Sequence, residues 1–216
     1  MAQTILIVGA SRGIGLGLAR EFSSRGWDVI ATERDRSDDL HALDGVRIET
    51  MDVTTPETFT GFDTGLDAVI INAGIQGAAH QDAARATAEE VAHVMMTNAF
   101  GPAHLAKAIL PNIRDGGTLA LMTSLMGSIE DSSGGYDLYR TSKCAQNMLA
   151  KGIAEENANP RGIAVLSLHP GWVKTDMGGP NAKITVEESA RGLADVVESA
   201  DGGYRYVDYT GKDLRF

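Results

Sequence analysis

Residues 8–15 read VGASRGIG. Two patterns overlap there. Gly9-Ala10-Ser11-Arg12-Gly13 fits G-x-S-x-G, the elbow that presents a serine nucleophile in α/β-hydrolases. Gly9, Gly13 and Gly15 also fit G-x-x-x-G-x-G, a glycine turn that lets backbone approach a phosphate. Position separates the two. The stretch closes the first apolar run of the chain, TILIVG at 4–9. A hydrolase elbow needs earlier strands and a preceding loop for its second oxyanion-hole donor. A phosphate turn needs only strand, turn and helix N-terminus, all complete within residues 4–25. That helix end carries about half a positive charge and free N–H groups. Ser11 is therefore read as a hydroxyl and backbone N–H for phosphate or ribose. The common G-x-G-x-x-G spacing is not met, because Gly13, Gly15 and Gly17 give G-x-G-x-G, a wider turn.

Outward from this turn, short apolar runs alternate with longer helical patterns. Residues 4–9, 27–32, 46–51, 67–72, 118–124, 163–169 and 204–208 read as strands. Most are continuous rather than alternating, as strands buried on both faces of a parallel sheet are. Ile14, Leu18 and Phe22 recur at helical spacing, and Gly26 ends that helix. Residues 87–113 read as one long helix, opened by a Thr87–Glu90 capping box and closed at Pro111. Helices over 139–158 and 185–200 follow, the last with Thr185 and Glu188 as its box. This order predicts an α/β fold: a three-layer, Rossmann-like, doubly wound parallel sheet of about seven strands. No composition break divides it, so residues 1–216 read as a single domain. Ligands of such sheets sit beyond the C-terminal strand ends. Gly9, Glu33, Asp52, Asn72, Ser124 and Pro170 lie there.

Composition narrows the function classes. The net charge is −10, spread along the chain, which argues against nucleic acid and against an anionic membrane surface. Cys144 is the single cysteine, so no internal disulfide and no cysteine-based metal cluster is expected. The five histidines have no metal-ligand spacing, so no metal is expected. No apolar run approaches the ~18 residues of a membrane span, and the N-terminus lacks a signal-peptide pattern. A cytoplasmic protein is expected.

Glu33 lies 18 residues beyond Gly15 at the end of the second strand. An acidic side chain there hydrogen-bonds adenosine ribose hydroxyls and repels a 2′-phosphate. Arg12 and Arg34 pull the other way, since a guanidinium pairs with a 2′-phosphate. The balance slightly favours NAD(H) over NADP(H). Arg34 also reads as a solvated charge of ERDRSDD. Tyr139 and Lys143 are four residues apart near a helix start and share one face. A tyrosine with its ordinary pKa of ~10 is a poor acid–base at neutral pH, and an ammonium one turn away favours the phenolate. Ser124 ends the fifth strand, where a hydroxyl can polarise a carbonyl or meet a developing alkoxide. Each feature alone has an ordinary structural explanation.

Together, GASRGIG (9–15), MDV (51–53), NAG (72–74), TNAFGP (97–102), Ser124, YRTSK (139–143) and HPGWVKTDM (169–177) resemble the short-chain dehydrogenase/reductase family over nearly the whole chain. In detail the chain is similar to its small C-factor-like branch. The resemblance implies an NAD(P)-dependent oxidoreductase passing a hydride between the nicotinamide and a carbonyl or secondary alcohol. It implies that Gly9, Ser11, Arg12, Gly13, Ile14 and Gly15 shape the pyrophosphate turn. Asp52 and Val53 would meet the adenine. Asn72, Ala73 and Gly74 would run beside the cofactor. Tyr139 would be the general acid–base, Lys143 would hold the nicotinamide ribose and lower the tyrosine pKa, and Ser124 would orient the carbonyl. Asn98 would bind a water linking Lys143 to solvent. Pro170, Gly171 and Val173 would wall the nicotinamide, and Thr175 would reach its carboxamide or the diphosphate. A homodimer or homotetramer through the two long helices is also implied. The other reading of the same site is a dinucleotide-binding signalling or regulatory protein with little turnover.

The stretch before the last helix is short for this family. Gly178 and Gly179 in GGPNAKI (178–184) are expected to hinge a small lid. Tyr136, with Arg140 four residues on, lacks the lysine that marks Tyr139 and reads as pocket lining. Met95, Met96, Met122 and Met126 read as core and pocket wall, and His169 as a packed residue. The expected pocket is lined by residues near 74–82, 125–136 and 172–182, mostly small, apolar or mobile, without a charge placed to bind a phosphate or carboxylate. It suits a neutral, moderately apolar carbonyl compound.

Overall fold

A computed structural model describes residues 2–59 and 65–216. Strand β1 (Thr4–Val8) leads into helix α1 (Gly13–Ser24), then β2 (Asp28–Glu33), the short α2 (Asp38–His41), β3 (Arg47–Thr50) and β4 (Leu66–Ile71). Helix α3 (Ala88–Met95), α4 (Gly101–Ile109), β5 (Ile113–Met122), α5 (Asp137–Ile153), β6 (Ala164–His169), α6 (Val186–Glu198) and β7 (Tyr204–Asp208) complete the chain. The strands form one parallel sheet in the order β3-β2-β1-β4-β5-β6-β7. The order reverses between β1 and β4, which opens a crevice at their C-terminal ends.

The apolar strands are continuous because both faces are covered. Ile5 and Ile7 pack with Leu18 and Phe22 of α1 and Leu193 and Val197 of α6. Leu6 and Val8, one residue out of phase, pack with Leu105 and Ile109 of α4 and Ile153 of α5. Each such side chain contributes about 1.5–3 kcal/mol on burial. Helix α1 lies close to α6 because Gly17 has no side chain: a Cβ there would come within 2.4 Å of Val186 Cγ1. Gly26, at φ +80°, ends the α1 turn.

The helix expected over 87–113 is interrupted. Its capping box is present, with Glu90 N–H donating to Thr87 Oγ1 (3.2 Å) and Thr87 N–H to Glu90 Oε2 (2.9 Å). A π turn at Met96–Phe100 then separates α3 from α4. Thr97 donates its hydroxyl to His93 O (2.8 Å), competing with the backbone ladder. One inserted residue shifts the face of a helix without breaking its apolar period, so periodicity does not reveal it. A second π turn (Ala154–Ala158) follows α5. Helix α5 itself begins at Asp137 rather than 139, behind Tyr136 at φ +56°. Strand β5 begins five residues earlier than expected: Ile113 pairs with Leu66, and a register shift then accommodates residues 114–117. At α6, Thr185 Oγ1 accepts from Glu188 N (3.1 Å), while the Glu187 carboxylate bonds the Thr185 hydroxyl. Among the described residues no helix is long and apolar enough to cross a membrane.

Candidate active site

A cleft of about 800 Å³ runs along the C-terminal strand ends, from the turn after β2 to the start of α5. Its floor is the opening glycine turn. Gly9, at φ +82°, lies against β4's extension: a Cβ would come within 2.9 Å of Ala73 N and Cα. Asn72 Nδ2 donates to Gly9 O (2.8 Å) and so ties the turn to that segment. Gly15 is packed behind the turn, where a Cβ would stand 2.1 Å from Gly9 O. It serves close helix–strand packing and does not line the cleft. Ser11, Arg12, Gly13 and Ile14 do line it. Helix α1 has no side-chain cap and no acidic residue in its first turn. Its free N–H groups therefore open on the cleft, the arrangement that suits a phosphate. Ala73 and Gly74 continue the floor, and a Cβ on Gly74 would come 3.3 Å from Asn98 Oδ1 and 3.5 Å from Lys143 Nζ.

The adenosine end corrects one expectation. Glu33 does not present its carboxylate to the cleft; it is 6% exposed. Its Oε2 accepts from Ser37 N (2.7 Å) and its Oε1 bonds His41 Nε2 (2.8 Å). The carboxylate is turned back to hold the 34–41 turn rather than to face a ribose. Arg12, Arg34 and Arg36 line the cleft instead. Arg34 pairs with Asp35 (3.1 Å) and Arg36 with Asp38 (3.3 Å), all largely exposed. Arg12 reaches across to Asp176 (2.8 Å). The slight preference for NAD(H) is not supported by this arrangement. Asp52 and Val53 line the same end, and Asp52 Oδ1 accepts from Thr54 N and Oγ1 (2.8 and 2.7 Å). Burial raises the Asp52 carboxyl, but these two bonds outweigh it and hold the group below its ordinary pKa.

At the other end Tyr139 and Lys143 come together as their spacing required. Tyr139 lines the cleft, with the Ser124 side chain beside its phenol. Burial pushes that phenol up to about 12, and the neighbouring Ser124 hydroxyl lowers it only in part. Lys143 is 4% exposed, and its Nζ lies 5.8 Å from the Tyr139 ring centroid. It donates to Met122 O (2.8 Å) and Gln146 Oε1 (3.0 Å). Burial pulls the amine down to about 7. Desolvation dominates both groups, in opposite directions. Ser124 Oγ also accepts from Met126 N (3.1 Å), and Ser124 O accepts from the Tyr206 hydroxyl (2.6 Å).

Asn98 stands on the π turn and is fully buried. Its Oδ1 accepts from Ile75 N and its Nδ2 donates to Ile75 O, both at 2.8 Å, and to Ser142 Oγ at 2.9 Å. Its side chain thereby ties the loop after β4 to α5. Pro170 and Thr175 line the cleft. Gly171 and Val173 do not; Gly171 abuts Ile184 and Tyr209, and Val173 bridges to Ile184. Of the two expected hinge glycines, Gly178 is packed, a Cβ there coming 2.0 Å from Val173 O, while Gly179 adopts φ +74° with open space around it. Trp172 Nε1 donates to Gly178 O (2.8 Å), so the 172–184 segment is folded on itself.

Met96 is 46% exposed and belongs to neither core nor pocket wall, whereas Met122 does line the cleft. His169 is packed against the sheet end, and burial pulls it down to about 4 although Asp208 opposes this. Among the described residues no group of His, Cys, Asp and Glu is placed to hold a metal. Sequence reasoning missed Arg36, Gln81, Ser142 and Gln146. Arg36 stood in ERDRSDD beside Arg34, which was the one available signal.

A model of the short chain dehydrogenase family matches residues 3–184. Among curated relatives, C-signal from Myxococcus xanthus is 36% identical over 156 residues, covering 69% of this chain and 92% of its own. Among solved structures, a short-chain dehydrogenase/reductase from Burkholderia multivorans with bound NADP is 36% identical, with TM-score 0.93 and full coverage of both chains. A carbonyl reductase from Pseudomonas aeruginosa PAO1 in complex with NADP is 39% identical, with TM-score 0.89 and full coverage of both. The chain belongs to the short-chain dehydrogenase/reductase family of nicotinamide-dependent oxidoreductases.

Proposed function

We propose that this protein is an NADP(H)-dependent reductase of neutral carbonyl compounds, with Tyr139 as the proton donor. The observation that carries the reading is the Tyr139 phenol, beside Ser124 at the end of a cleft whose far end is lined by Arg34 and Arg36. The uncapped N-terminus of α1 and the bare Gly9 and Gly74 fit a dinucleotide stretched between those ends. Arg34 and Arg36, with Glu33 turned away, favour a 2′-phosphate, and the NADP-bound neighbours agree with that choice. The bound nicotinamide supplies the hydride.

The chain's own residues handle the proton. At about 12 the Tyr139 phenol is neutral at physiological pH and holds the proton that a developing alkoxide requires. Ser124 orients the carbonyl oxygen beside it. Once the proton leaves, an ammonium at Lys143 stabilises the phenolate. Asn98 fixes Ile75 and Ser142 around this centre rather than relaying the proton through its side chain.

Tyr139→Phe tests the reading. It is expected to bind NADPH within about twofold of wild type and to lose turnover by a factor of at least about 10³. Appreciable carbonyl reduction by that variant refutes the mechanism. The likeness to C-signal favours a second reading, a dinucleotide-binding regulator with little turnover. Tight NADPH binding without reduction of any aldehyde or ketone in a broad screen selects it. Self-association through α3–α4 and α5 is supported by exposed Val91, Met96, Phe100 and Met148, and sedimentation reads it directly.

A further inference from the structure

We propose that Gln81 is a positioning residue for Tyr139, setting the place of the phenol through the backbone of the first turn of α5. The inference rests on the reading of Tyr139 as proton donor. Gln81 is 5% exposed and adopts φ +53°, a left-handed backbone that non-glycine side chains rarely take. The other non-glycine residue with positive φ among the described residues is Tyr136, at +56°, on the other side of the same junction. Strained backbone of this kind persists only where the surroundings over-determine it.

The side chain of Gln81 supplies that determination. Its Nε2 donates to Gln76 O (2.8 Å) and Ala78 O (2.6 Å), which closes the loop after β4 on itself. Its Oε1 accepts from Tyr139 N (3.0 Å), across 58 residues of chain. Tyr139 N is one of the first-turn donors that a helix cannot satisfy internally. Tyr136, at the N-cap, offers no side-chain bond, so Gln81 caps α5 from a distant loop. The backbone repeats the link: Asp137 N donates to Gln81 O (2.9 Å), and Ala83 N to Asp137 Oδ2 (2.9 Å).

A second tether holds the other backbone polar group of the same residue. Ser142 Oγ donates to Tyr139 O (2.8 Å) and accepts from Asn98 Nδ2, which in turn clamps Ile75 by both its N–H and its carbonyl. The N–H and carbonyl of Tyr139 are thereby fixed to the two ends of segment 75–82. A neutral amide suits this task because it must accept from one backbone group and donate to two others. Neither a carboxylate nor an aliphatic side chain of equal length does both.

The experiment compares single-turnover hydride transfer from NADPH to a carbonyl substrate in wild type, Gln81→Met and Gln81→Glu. Gln81→Met keeps the length and removes all three bonds. It is expected to slow hydride transfer about tenfold or more, as small misplacements of a reacting group do. The KM for substrate and the Kd for NADPH are expected to stay within about twofold of wild type. Gln81→Glu keeps an acceptor for Tyr139 N but sets its second oxygen against Gln76 O and Ala78 O, so it is expected to recover part of the rate, at least about threefold above Gln81→Met. Ser142→Ala cuts the second tether and gives the same rate-only loss, which covers a failure of Gln81→Met to fold. A Gln81→Met enzyme of lowered Tm but unchanged hydride transfer makes Gln81 a fold residue and overturns the proposal. Equal losses in Gln81→Met and Gln81→Glu overturn the role given to the Tyr139 N–H contact. An active Tyr139→Phe enzyme fails separately: it removes the proton-donor reading, and the positioning role with it.

Discussion

Lys143 makes the stability of the cofactor-free protein depend on pH in a way that can be worked out. The amine is buried, and desolvation pulls it from an ordinary 10.5 to about 7. A lysine whose folded pKa lies below its unfolded value binds fewer protons in the folded state. Stability then rises with pH between the two values. At pH ~7 the folded chain holds about half a proton at this site and the unfolded chain about one, giving a slope of roughly 0.7 kcal/mol per pH unit. Nearer pH ~9 the slope approaches about 1.3, and the integrated gain from pH ~7 to ~9.5 is about 3 kcal/mol. The bonds from Nζ to Met122 O and Gln146 Oε1 favour the ammonium and make that an upper figure. Tyr139, Tyr204 and Tyr206, all raised by burial, act in the opposite sense as the unfolded phenols ionise near pH ~10. They take back roughly half a kcal/mol by pH ~9.5 and more above it. Urea unfolding followed by far-UV circular dichroism, at both pH values and constant ionic strength, measures the difference. Lys143→Met removes the gain and leaves the tyrosine decline. A wild-type protein with the same pH dependence as Lys143→Met would show that the amine is charged in the fold, and the desolvation argument would fail.

Three other outcomes follow from the site's geometry. Arg34→Ala and Arg36→Ala are each expected to weaken NADPH binding about tenfold or more while sparing NADH, since a charge-assisted bond to phosphate is worth about 1.5–3 kcal/mol. Glu33→Gln should change the NADPH-to-NADH affinity ratio by less than about threefold, because its carboxylate is spent on Ser37 and His41; paired titrations of the two cofactors decide. Gly15→Ala forces a methyl group to within 2.1 Å of Gly9 O and 2.9 Å of Ala10 Cα. It should cost about 3 kcal/mol, read in thermal unfolding, and displace the phosphate turn.

The alternation of apolar runs and helical periods was enough to determine a parallel sheet covered on both sides. Ile5, Leu6, Ile7 and Val8 are all apolar, and such a run has no solvent face to offer. The order of motifs likewise placed Gly9, Asp52, Gly74, Tyr139 and Lys143 on one edge, because in a doubly wound sheet every strand ends on the same side. Spacing alone brought Tyr139 and Lys143 to one face, since a helix repeats every 3.6 residues.

Partnership and solvation were decided only by the fold. Glu33 stands at the strand end where an acidic ribose ligand belongs, yet His41, eight residues on, and the N–H of Ser37 take its carboxylate. The nearness of lysine and tyrosine followed from spacing, but the direction in which each is shifted is set by burial, which no spacing reports. Asn98 was legible as unusual, and its partners at Ile75 and Ser142 were not. Gln81 carried no signal at all. Its hydrogen bond to Tyr139 N joins residues 58 apart in the chain. Local sequence encodes period, turn and cap, because those are short-range properties of the backbone. Which polar atoms meet across the cleft, and how dry they are when they do, is set when distant segments pack together.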